Sequence, residues 1–182
     1  MHQYRIHGIE SAPEKSKPAL QALKQSVGLI PNLAATMAES HVLLNGFVAA
    51  FGNFHGGSFT GGQKQVLLLS NAVANTCPWA VAFHSTLALK EGVEADDVRA
   101  IRERRLPRDA KLAALSGFTR ALIEKRGHVS EGDLATFSGA GFHPDQVLEV
   151  IAGLAVSLMA NYAGNVTKPL LEEPFAPQRW EP

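Results

Sequence analysis

The segment VLLLSNAVA, Val66 to Ala74, is apolar on almost every side of a helical wheel. A helix without a polar face cannot lie on the surface of a bundle, so this one is expected at the centre with other helices around it. Strand signals are weak elsewhere. There is no sustained alternation of apolar and polar residues. Apolar residues instead recur at helical spacing in blocks divided by Gly and Pro, which predicts helices over 14–26, 32–38, 40–53, 60–75, 78–91, 95–103, 108–126, 130–139 and 144–165.

Local chemistry supports these starts. Thr60 and Gln63 have the spacing of a capping box. Ser130 precedes Glu131 and Asp133, acids that suit the positive end of a helix. Pro144 fits the first helical position, where its missing N–H costs nothing. In the last block Val147, Ile151, Leu154 and Leu158 form one apolar stripe. Asn71 and Asn75, on or beside the central helix, need partners inside the protein or at an interface. The first and last dozen residues are rich in Pro and charge, and are expected to run over the surface or onto a neighbouring subunit.

Length and charge narrow the field. At 182 residues the chain is expected to form one domain, 1–182, with a core over about 15–172. Seventeen basic and seventeen acidic side chains cancel, so no overall field points to nucleic acid or an anionic membrane. The cluster RERRLPR, Arg102 to Arg108, reads as a solvated helix end and turn. The N-terminal stretch lacks a secretory pattern, no run comes near a membrane span, and the expected location is the cytoplasm. One cysteine excludes an internal disulfide framework, and no His pair at i, i+4 suggests a metal. No cofactor is expected. The glycines of FHGGSFTGG lack the ending of a phosphate-binding loop and read as a flexible connection.

NTCPWAVAFH, residues 75–84, carries that cysteine and a histidine. Cys77 precedes Pro78 and is expected to cap the helix that holds His84. Two readings stay open for it: a thiol made reactive by the helix end, or a small buried hydrophobe. His84 lies two turns on, about 10 Å along the axis, too far for a direct thiol–imidazole hydrogen bond. The intermediate position on that stripe is Ala80, which offers neither a nucleophile nor a proton.

FTGGQKQVLLLSNAVANTCPWAVAFHSTLALKEGVEADDVRAI resembles the carboxymuconolactone decarboxylase/AhpD-like superfamily, in its alkylhydroperoxidase-related branch. GLIPNLAATMAES before it and RGHVSEGDLATFSGAGFHPDQVLEVIAGLAVSLMANYAGNV after it extend the likeness over roughly 15–172. The resemblance implies an all-α, AhpD-like bundle of roughly eight to nine helices that oligomerises through helix faces into homotrimers or homohexamers. Redox members carry Cys-x-x-Cys-x-x-x-His with a glutamate twelve residues before the first cysteine. Cys77 and His84 match two of these positions, while Ala80 stands for the second cysteine and Gln65 for the glutamate.

Three readings follow. The chain is a divergent member without two-cysteine peroxidase activity, a one-cysteine peroxide or thiol enzyme using Cys77, or a decarboxylase-like lactone or carbonyl enzyme. In the last, His84 is the acid–base group, and Gln65, Asn75 or Trp79 shapes a pocket for a small molecule. His41 and His55 are further candidates for that cavity, although lone histidines in helical proteins are most often structural.

Overall fold

Helix starts in the structure coincide with the caps read from the sequence. The computed structural model describes residues 4–182, and among them are nine α-helices, two short 3-10 helices and no strand. In order they are a 3-10 turn at Glu14–Ser16, α1 Lys17–Val27, α2 Asn32–Met37, α3 His41–His55, α4 Gly61–Ala74, α5 Pro78–Lys90, α6 Ala95–Arg102, α7 Ala110–Glu124, α8 Glu131–Gly139, α9 Pro144–Thr167 and a 3-10 helix at Glu173–Gln178. Thr60 Oγ1 accepts from the Gln63 amide at 3.3 Å while Gln63 Oε1 accepts from the Thr60 amide at 3.0 Å. Ser130 and Asp133 form the same reciprocal box at α8. Each satisfies amides that the first turn leaves open, a contribution of about 1 kcal/mol per cap.

α4 is the central helix. Gln65 through Val73 are all buried, and α5, α6, α7 and α9 pack around them. Its polar residues find partners inside. Asn71 Oδ1 accepts from Nδ2 of both Asn75 and Asn161, and Asn161 Nδ2 also donates to Ser157 Oγ at 3.1 Å. Ser70 and Ser116 pair at 2.8 Å between α4 and α7.

α9 departs from expectation in two ways. The stripe Val147, Ile151, Leu154 and Leu158 is not the core face: Ile151 is 47% exposed and Leu158 42%. The inner face is Val150, Gly153, Val156, Ser157, Ala160, Asn161 and Gly164. Small residues are required there because the helices approach closely. A Cβ at Gly153 would lie 2.7 Å from Leu67 Cδ2 and 2.8 Å from Phe54 Cε2. With both faces apolar, α9 is long and apolar enough by length and composition to cross a membrane, contrary to the expectation that no stretch comes near. Its inner side is occupied by α2, α3 and α4.

The described parts of both ends run over the bundle and pack onto it. His7 is buried, held by the Ser11 carbonyl at 2.8 Å and Glu39 at 3.0 Å. Near the C-terminus Phe175 packs edge-on to Trp79 and Phe83. Arg102, expected to be solvated, instead donates to the Gln178 and Arg179 carbonyls.

Candidate functional site

The α4–α5 corner sets the position of the cysteine. Thr76 adopts a left-handed conformation (φ 52°), and the Cys77 amide then reaches back to the Ala72 carbonyl at 3.0 Å. This reverses the chain and places Cys77 at the N-cap of α5, with Pro78 as the first helical residue. The side chain turns inward and is fully buried. A Cβ at Gly164 of α9 would lie 2.8 Å from the Cys77 sulfur and 3.2 Å from Leu33, so the thiol sits in the gap left by that glycine. Burial pushes the thiol pKa up, against a weaker opposing pull from the Ala80 and Trp79 amides. The helix-end activation considered from the sequence is present but loses to desolvation.

His84 lies on α5 facing α4. Its Nδ1–H donates to Gln65 Oε1 at 2.9 Å. The glutamine thus fixes the ring's orientation and tautomer, leaving Nε2 as the lone-pair nitrogen. Burial, and secondarily the neighbouring His55, lower the His84 pKa to about 3. The ring is neutral throughout the physiological range.

His84 and Ala80 form part of the wall of an apolar cleft of about 50 Å³ that is not fully enclosed. Phe47 and Phe51 of α3, Trp79 and Phe83 of α5, and Val156, Ser157 and Ala160 of α9 complete much of the wall. Trp79 stacks on Phe83 with centroids 4.9 Å apart, and its Nε1–H donates to Glu172 at 2.9 Å. Among the described residues no Lys, Arg, Asp or Glu lines the cleft.

The structure therefore brings together four of the six candidate positions. Gln65 touches His84, and Trp79, Ala80 and His84 share the cleft. Cys77 is outside its wall. Asn75 ends α4 and belongs to the Asn71 network rather than to the cleft. His55, at the end of α3, is not in the wall either, but its ring lies 4.1 Å from that of Phe51, which is. Its Nε2 is buried with no hydrogen-bond partner among the described residues, and burial, then Lys64, lower its pKa. His41 is half-buried at the start of α3 and is likewise outside the wall. Ser157 was not singled out from the sequence. The available signal is a hydroxyl inside the otherwise apolar run GLAVSLMA. Among the described residues no three His, Cys, Asp or Glu side chains gather in a metal-binding group.

No family model matches the sequence, and no curated protein matches it. Solved structures do. The AhpD core of a peroxidase-related protein from Ralstonia eutropha JMP134 superposes with a TM-score of 0.82 at 16% identity, over 95% of this chain and 93% of that one. A peroxidase-related protein from Silicibacter sp. TM1040 gives 0.77 at 14% identity, over 97% and 94%. The debrominase Bmp8, as a cysteine-to-alanine variant in complex with 2,3,4-tribromopyrrole, gives 0.79 at 16% identity, over 98% and 96%. At such identities the likeness establishes architecture alone: this chain has the AhpD-like all-helical fold.

Proposed function

We propose that this AhpD-like chain has no two-cysteine peroxidase chemistry and uses the cleft beside His84 to bind a small, largely apolar molecule. One observation carries the reading. The only sulfur of a cysteine is packed against Gly164 behind the wall, while the positions that face the cleft are Ala80 and His84. A nucleophile must reach its substrate as a thiolate, and burial here raises the thiol pKa. Gln65 holds the imidazole but has no proton to shuttle near neutral pH. The complex of Bmp8 with 2,3,4-tribromopyrrole supports a small ring as occupant of this architecture. The chain is further proposed to be a cytoplasmic homo-oligomer, trimeric or hexameric, built through the outward apolar face of α9.

A decarboxylase-like role for His84 is the second reading. The free Nε2 favours it, since a base needs an available lone pair, but a pKa of about 3 makes this imidazole a weak base.

The test is treatment of the purified protein with an organic hydroperoxide, followed by turnover assay and mass spectrometry. The expected result is no turnover and an unmodified Cys77. Turnover that disappears in Cys77→Ser would overturn the proposal in favour of a one-cysteine enzyme.

A further inference from the structure

Lys168 ends α9 in a left-handed conformation (φ 47°), and residues 169–182 then run as a strap over the starts of α2 and α5 and the end of α6. Among the described residues no backbone–backbone hydrogen bond joins this strap to the helices. The bonds it makes of that kind, Phe175 to Glu172 and Arg179 to Ala176, are internal. Its ties to the bundle all involve a side chain, such as Asn32 Nδ2 to the Leu170 carbonyl at 2.9 Å. A segment attached in this way opens at lower cost than the helices beneath it.

Glu172 is the tie that reaches both sides of the cleft. Its Oε1 accepts from the Asn32 amide at 2.7 Å and its Oε2 from Trp79 Nε1 at 2.9 Å. Pro31 and Leu33, on either side of Asn32, line one wall, while Trp79 and Ala80 line the other. The carboxylate therefore fixes the separation of the two walls, and bonds to a charged acceptor are the stronger kind. Phe175, 3% exposed, packs edge-on to Trp79 and Phe83 and backs the second wall. At this separation the cleft holds about 50 Å³, whereas a dry cavity that takes up benzene measures about 150 Å³. In this form it is too small for a ring.

We infer that the strap is a latch: with Glu172 seated the cleft is closed, and its release parts α2 from α5 and admits a ring-sized apolar molecule. The admission of a ligand rests on the reading of the cleft as a small-molecule site, and the latch itself does not. The same movement uncovers Cys77, because Leu33 belongs to the cleft wall and also lies against the Gly164 gap that holds the sulfur. The single thiol thus reports the open form. A ligand that needs this form binds more weakly in proportion to its rarity, so weakening the latch raises the apparent affinity.

The test compares the wild type with Glu172→Gln, which sets an amide NH2 against one of the two donors, and Phe175→Ala, which removes the packing behind Trp79. Neither residue lines the cleft, and circular dichroism confirms the fold. Iodoacetamide labelling of Cys77 is timed by mass spectrometry, solvent exchange of the Trp79 indole N–H is followed by NMR, and toluene is titrated. Labelling and exchange are expected to be about tenfold faster in both variants, with toluene bound more tightly by a similar factor. Unchanged labelling and exchange overturn the latch, whatever toluene does. Faster labelling with equal toluene affinity in all three proteins overturns its control of the cleft. Faster labelling and exchange with no toluene binding to any of them upholds the latch and overturns the small-molecule reading instead.

Discussion

The sulfur of Cys77 occupies the space that a side chain at Gly164 would need, with only 2.8 Å between it and an added Cβ. α9 thereby holds the thiol away from the cleft, and the two positions are coupled through one contact. Gly164→Ala is expected to lower stability by about 1–3 kcal/mol, because the N-cap is fixed by its backbone hydrogen bond and cannot simply slide away. Leu33, 3.2 Å from the added Cβ, must also give way. The double variant with Cys77→Ala should recover part of that loss. Denaturant unfolding of both single variants and the double variant measures the coupling, and strict additivity would mean that the contact does not govern the packing.

Ala80 shares the cleft wall with His84, so a thiol at that position would be where the thiol of Cys77 is not. Ala80→Cys is expected to give a peroxide-sensitive protein. Mass spectrometry and thiol titration should find a disulfide between Cys77 and the introduced cysteine after hydroperoxide treatment. The wild type should show no such oxidation. An introduced thiol that stays reduced would show that the missing sulfur is not what separates this chain from peroxidase chemistry.

Gln65→Glu replaces a neutral acceptor by a carboxylate at the same contact with His84. An adjacent negative charge stabilises imidazolium, so the midpoint of His84 should rise from about 3 by roughly one to three pH units, measured by NMR titration. In the wild type the sign of the pH dependence follows from the same group. The folded pKa is below the ordinary 6.5, so between that value and about 3 the unfolded chain binds the extra proton. Stability is therefore full above about pH 6.5 and falls on acidification, at up to about 1.4 kcal/mol per pH unit from this residue. Thermal melts of the wild type across this range should show the decline, and Gln65→Glu should flatten it.

The outward residues Ile151, Leu158, Tyr162 and Val166 recur along one exposed side of α9. If copies of the chain assemble there, Leu158→Glu should lower the mass seen by light scattering or sedimentation without loss of helicity. A wild-type protein already monomeric at micromolar concentration would remove the proposed assembly.

The helices were legible because their signals are local. Thr60 and Ser130 cap the blocks they precede, and Pro144 is the first residue of the one it opens. The facing of α9 was not legible, since hydrophobic size points to Ile151 and Leu158, whereas close packing against Phe54 and Leu67 demands Gly153 on the inner side. At the site, helical spacing put Ala80 and His84 on one stripe of α5, and both line the cleft, whereas Gln65, named through the family resemblance, meets His84 from α4. The burial of Cys77 could not be read from α5, because it is set by a glycine on another helix. The place of Ser157 in the wall is likewise a product of packing between helices, and His55, a candidate for the cavity, stops one ring short of it behind Phe51.

Glu172 accepts from the Trp79 indole at 2.9 Å and from the Asn32 backbone amide at 2.7 Å. One carboxylate thus clasps the first turn of α5 to the first turn of α2, and both turns border the cleft through Trp79 and Leu33. The aperture is therefore braced from the far end of the sequence, and a perturbation at Glu172 would propagate to the tryptophan wall without any change to the residues that line it.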